Sequence, residues 1–187
     1  KAFFKLLPLL KEANFNLSSQ TSVRLMHDDG RRFLTQTTKK YDAIVNTLSS
    51  PSYFSSGKLH TTEFYGLITK ALQPKGVYLS WFTFGDMSNA GVETQLNTLS
   101  QHFRACGLVV LRDSYYMFVC SNELLKKRPL QDLNIPQPLL QAISAQIPNM
   151  DLDTMISALW LSDNVFGQTP NLRQINTDDF PLLEFQI

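Results

Sequence analysis

The stretch Lys40-Tyr41-Asp42-Ala43-Ile44-Val45-Asn46-Thr47-Leu48 decides the fold. From Asp42 to Leu48 it is mostly apolar, which suits a buried strand of a parallel sheet. Upstream, Thr21 to His27 reads as another strand, with Val23 and Leu25 on one face. Between the two, Asp28-Asp29-Gly30-Arg31-Arg32-Phe33-Leu34 offers Asp28 or Asp29 as the N-cap of a helix. Downstream, a Ser- and Pro-rich loop from Ser49 to Lys58 leads to Thr61-Thr62-Glu63. These start a helix with Phe64, Leu67, Ile68, Ala71 and Leu72 on one face. Gln73-Pro74-Lys75-Gly76 stops that helix, and Val77 to Phe82 reads as a third strand.

Ser88 and Asn89 open a further helix with Val92, Leu96, Leu99 and Phe103 at helical spacing. Leu108–Leu111 and Tyr115–Cys120 are two strands joined at Arg112-Asp113-Ser114, too short a joint for anything but an antiparallel pair. Residues 2–12 read as a short helix disturbed at Pro8. The alternation argues an α/β sheet with parallel central strands. Residues 123–187 differ: prolines punctuate them, and short helices are expected near 137–146 and 151–160.

The composition suits a packed chain, with 43% hydrophobic and 18% charged residues among 187. The net charge of +1 supplies no pull toward nucleic acid or anionic membrane. Cys106 and Cys120 each lie in an apolar run, and buried free thiols in a reducing compartment are expected. No apolar run approaches the ~20 residues of a membrane span, and no signal peptide is visible. A cytoplasmic location is expected. The chain starts at Lys1, inside what reads as an element, so a fragment of a longer parent is expected. Membrane tethering of that parent stays open.

Other chemistries find little support. His27, His60 and His102 are scattered without metal-ligand spacing. Neither a nucleophile elbow nor G-x-G-x-x-G nor a P-loop occurs. Lys126-Lys127-Arg128 reads as a solvated linker, and Asp151 and Asp153 lack further acids at calcium-loop spacing.

The order of several motifs resembles the C-terminal part of the spermidine/spermine synthase family (polyamine aminopropyltransferases), most closely its large fused bacterial members. The motifs are Asp28-Asp29-Gly30, Tyr41-Asp42-Ala43-Ile44-Val45, Leu59-His60-Thr61-Thr62-Glu63-Phe64-Tyr65, Gly76-Val77-Tyr78-Leu79-Ser80-Trp81 and the terminal Asn176-Thr177-Asp178-Asp179-Phe180-Pro181-Leu182-Leu183-Glu184-Phe185. The resemblance implies a partial Rossmann-like, class I methyltransferase-like α/β sheet with a terminal antiparallel hairpin. Residues 1–122 would form that domain, without its first nucleotide-binding strands, and 123–187 a C-terminal helical extension packed on it. A sheet so shortened should rearrange, pair with a second copy through exposed edges as a homodimer, or leave its first strand unpaired.

The resemblance also implies site residues. Asp29, followed by Gly30, matches the acid that contacts adenine; read from the turn alone, the pair is an N-cap and a tight turn. Five residues after Asp42, where the family has a catalytic acid, stands Thr47; eight after it stands Ser50, with Pro51 in register. Asn46 and Ser50 would face the amine acceptor, and Ser80 replaces a usual glutamine. Threonine is no general base at neutral pH, and an ammonium cannot attack carbon until it loses a proton.

Three functions follow. The first is a fragment, itself inactive, of a spermidine synthase-like transferase that moves an aminopropyl group from decarboxylated S-adenosylmethionine to a polyamine. The second is a degenerate, non-catalytic binding or interaction domain. The third is an S-adenosylmethionine-dependent methyltransferase of other specificity. The terminal motif reads as a side-chain-bonded turn that docks the tail on the sheet.

Overall fold

The computed structural model describes residues 2–14, 16–47, 56–85, 87–112, 115–125, 134–146, 152–166 and 174–186. The chain divides into two compact units, Lys1–Gln36 and Thr37–Ile187.

In the first unit, helix α1 (Ala2–Leu6) passes into a 3-10 turn over Leu7–Leu10, with Pro8 within it. Helix α2 spans Gly30–Gln36. The expected strand Thr21–His27 forms no strand; Val23, Leu25 and Met26 are exposed. Alternation alone does not hold a strand, because its backbone groups need a ladder partner or water.

The second unit carries a five-stranded sheet. Its strands are β1 (Tyr41–Asn46), β2 (Leu72–Thr83), β3 (Ala105–Arg112), β4 (Tyr115–Ser121) and β5 (Trp160–Ser162), in the order β1-β2-β4-β3-β5. Only β1 and β2 run parallel; the other neighbours are antiparallel. The expected hairpin is therefore present, with Asp113 and Ser114 of its joint outside the described residues. β1 departs from expectation. It is an edge strand, and Asp42, Ala43 and Val45 are exposed, so its apolar run is not buried on both faces. β5 was not foreseen: three residues after a helix carry no period that marks a strand.

Helix α3 (Thr62–Ala71) is capped by Thr61, whose side chain accepts from the Phe64 amide. It buries Phe64, Tyr65, Ile68 and Ala71. Helix α4 (Asn89–Ser100) is capped by Ser88 in the same way. Its buried face is Gly91, Thr94, Gln95, Thr98 and Leu99, more polar than the expected Val92–Leu96–Leu99 stripe. On that face the Thr98 hydroxyl and the Gln95 Nε2 make hydrogen bonds. Helices α5 (Gln137–Gln146) and α6 (Leu152–Leu159) fall where the sequence placed them.

One sheet face holds the core. Tyr78, Phe82, Phe118, Cys106 and Cys120 are fully buried on it. The Phe82 and Phe118 rings lie 5.0 Å apart, and Tyr78 stacks on Phe103 at 5.7 Å while Tyr65 meets it edge-on at 5.8 Å.

The cysteines contradict the expectation of free thiols: Cys106 and Cys120 form a disulfide. They stand directly opposite in the β3–β4 ladder. Cys106 turns its own amide to the Asn164 side chain and its carbonyl to the Val165 amide. The pair is therefore the non-hydrogen-bonded kind, with the Cα atoms only 4.0 Å apart. Sequence showed two apolar neighbourhoods; the register that makes them one is a tertiary fact.

Candidate functional site

The carboxyl ends of β1 and β2 meet where Asn46 pairs with Ser80. In an open α/β sheet this end is where ligands gather. Tyr78, two residues before Ser80 and on the same face, raises its hydroxyl between them. Asn46 Nδ2 donates to it at 3.3 Å, while the Ser80 hydroxyl donates to the Trp81 carbonyl at 3.5 Å. Ser80 is fully buried, Asn46 half-buried, and Thr47 is exposed just beyond. The structure thus brings Asn46 and Ser80 together and leaves Thr47 at the rim. Ser50 lies outside the described residues.

Tyr78 was missed as a site residue. Its signal was available: strand period puts it on the face of Ser80. Burial pushes its phenol up to about 12, against the lowering pull of Ser80 and Asn46. Tyr65, deeper still, is raised well above the usual tyrosine range by burial and by nearby Tyr78, with the Gln95 bond opposing.

The sign is that of a retained proton. Native Tyr78 keeps its proton to about 12, whereas the unfolded chain loses it near 10. Stability is complete below pH 10 and falls as pH rises through 12. Tyr78 contributes a slope of about 1.4 kcal/mol per pH unit in that window. Urea unfolding across this range should lose that much slope in Tyr78→Phe. An unchanged slope would contradict the assignment.

A second buried cluster lies behind the first. Gln95 Nε2 donates to the Tyr65 hydroxyl at 2.7 Å, and that hydroxyl meets His60 Nδ1 at 3.3 Å. Gln95 Nε2 also lies 3.4 Å from His60 Nδ1. His102, packed edge-on against Tyr65, bonds Thr62 Oγ1 at 2.7 Å. Burial lowers its affinity for a proton, and Glu63 partly offsets that.

In the first unit, Asp29 caps α2: its Oδ1 accepts from the Arg32 amide at 2.8 Å and its carbonyl from Phe33. Gly30, the first residue of α2, is exposed, and an added Cβ would meet nothing. Crowding within this unit therefore does not demand glycine there. Asp28 pairs with the Arg32 guanidinium, which holds its carboxyl below the usual range.

The tail motif docks at the start of α3 and against α4. Asn176 is fully buried and bonds Thr98 of α4, His60 and Thr62. Asp178 accepts from Thr61 at 2.8 Å and donates its amide to Glu63 at 2.9 Å. Among the described residues no helix is long and apolar enough to cross a membrane.

Comparison with known proteins places this geometry. The profile of the spermine/spermidine synthase domain matches residues 2–121. The polyamine aminopropyltransferase of Oceanobacillus iheyensis is 31% identical over 101 residues, 50% of this chain but 20% of that protein. A probable spermidine synthase from Corynebacterium glutamicum superposes with a TM-score of 0.58 at 15% identity, covering 91% of this chain and 60% of that one. Spermidine synthase from Thermotoga maritima gives 0.54 at 15% identity, over 81% of this chain and 50% of that one. Human methyltransferase-like protein 13, solved with SAH, gives 0.50 at 16% identity, over 77% of this chain and 68% of that one. These likenesses show a Rossmann-like α/β fold, and the chain spans a fifth of the curated relative's length and 60% of the first of these structures. On the profile match over residues 2–121, the chain belongs to the spermine/spermidine synthase domain family.

Proposed function

We propose that this chain is the acceptor-side portion of a polyamine aminopropyltransferase-like protein. Residues 1–122 form its truncated methyltransferase-like domain and 123–187 the extension packed on it. The reaction is displacement at carbon. The neutral amine of a polyamine attacks the propyl carbon bound to the sulfonium of decarboxylated S-adenosylmethionine. The carbon–sulfur bond breaks, the electron pair stays on sulfur as the thioether leaves, and a base takes the ammonium proton. Asp29 and Gly30 would contact the adenine, while Asn46, Ser50 and Ser80 would border the amine.

The observation that carries this reading is the family match over residues 2–121, which covers both flanks of the β1 strand end. The test is aminopropyl transfer by the full-length parent, with decarboxylated S-adenosylmethionine and a panel of di- and polyamines. Turnover by the parent and none by the 187 residues alone is the expected result. Turnover by the isolated chain would refute the incompleteness of its donor site.

One observation favours a degenerate binding domain. Ser80 is fully buried, and position 47 carries no carboxylate. A parent that binds nucleotide but transfers nothing would select that reading. Methyl transfer from S-adenosylmethionine, with none from the decarboxylated donor, would select a methyltransferase instead.

A further inference from the structure

The geometry points to Asn176 as a positioning residue. It holds the segment Ser56–Thr61 through the C-terminal tail and thereby sets the acceptor side of the site. The consequence for the amine rests on the function proposed above; the hold on the segment does not.

Asn176 uses backbone and side chain alike. Its amide donates to Thr98 Oγ1 at 2.9 Å, and its carbonyl accepts from the Thr62 amide at 2.9 Å. Its side-chain Nδ2 donates to the His60 carbonyl at 3.0 Å, and its Oδ1 accepts from the Leu183 amide at 3.2 Å. The residue is fully buried, so each lost bond leaves a partner desolvated. Its primary amide supplies the donor and the acceptor on separate atoms, which lets one side chain reach His60 and Leu183 together.

Two neighbours extend the grip. The Thr61 hydroxyl caps α3 as an acceptor and spends its proton on Asp178 Oδ1 at 2.8 Å. Gly57 lies under Glu184, where an added Cβ would sit 2.6 Å from Oε1. The tail thus closes over the segment at both of its ends.

A contiguous path joins this hold to the strand ends. His60, fixed by Asn176 through its carbonyl, meets the Tyr65 hydroxyl through Nδ1. Tyr65 lies edge-on against Tyr78, and the Tyr78 hydroxyl receives Asn46. Asn46 immediately precedes Thr47. A shift of His60 therefore moves a packed ring pair whose far end is the Asn46 side chain.

The test uses the full-length parent carrying Asn176→Asp, which keeps the oxygen facing Leu183 and sets an oxygen against the His60 carbonyl. Val165→Ala, a core change beside Cys106, serves as a control for general destabilisation. Hydrogen exchange is read on peptides covering 56–64 and 77–83, together with calorimetric binding of spermidine. Asn176→Asp should speed exchange in 56–64 by about tenfold and leave 77–83 unchanged. Spermidine affinity should weaken about fivefold. Val165→Ala should produce neither local effect. Equal acceleration in both peptides, or none in 56–64, would overturn the hold on the segment. Local acceleration with unaltered spermidine affinity would overturn the role in the site. A wild-type parent that binds no polyamine would defeat the function proposed above, and the exchange result would still decide the hold.

Discussion

Replacing Thr47 with Asp raises aminopropyl transfer by the full-length parent about 10²- to 10⁴-fold, the usual worth of a positioned general base. The residue stands exposed one position beyond β1, so the new carboxylate meets no burial cost there. It would add what position 47 lacks: an acceptor for the ammonium proton and a negative charge to hold a cationic amine. Asn46 does not substitute for it, because an amide accepts hydrogen bonds but takes no proton at neutral pH. The gain should appear in kcat and shrink as pH falls and the carboxylate protonates. Thr47→Asn, matched in size, should give no such gain. Equal rates for Thr47→Asp and the unmodified protein would mean that the base, if there is one, lies elsewhere.

Removing the cross-strand disulfide by Cys106→Ala and Cys120→Ala together should cost about 3 kcal/mol, the loop-closure entropy of a short linked loop. The cysteines are 14 residues apart, and both are fully buried, so the bond restrains the hairpin at the centre of the sheet. Alanine leaves no polar group to desolvate, which keeps the measurement close to the cross-link itself. Urea unfolding of oxidised wild type against the double variant reads the difference. Thiol titration of the denatured, unreduced wild type should find no free thiol. Two titratable thiols and equal stabilities would contradict the bond.

The candidate site was legible in part. Position 47 was found by counting from Asp42 and lies at the strand end. Ser80 was named for what it replaces, but its full burial was not foreseen, nor was Tyr78 as the hydroxyl that receives Asn46. Asp29 was left open between cap and ligand contact, and within its own unit the cap is made. The grip of Asn176 on His60 joins residues 116 apart, and no local pattern announces such a bond.

The amino-acid sequence by itself determined the local elements. Thr61 and Ser88 cap helices where their spacing to apolar residues says they should, and the short joint after Arg112 forces an antiparallel hairpin. These are short-range effects, settled by caps, periodicity and loop length. Only tertiary structure decided which face and which edge each element presents. It left Thr21–His27 out of any strand and put β1 at the edge. It turned two apolar cysteines into one bond and gave α4 a polar buried face. The reason is physical: a strand needs a ladder partner, a thiol needs an opposite thiol, and a buried hydroxyl needs a donor or acceptor. In this chain those partners come from register and packing, at distances in sequence that periodicity does not reach.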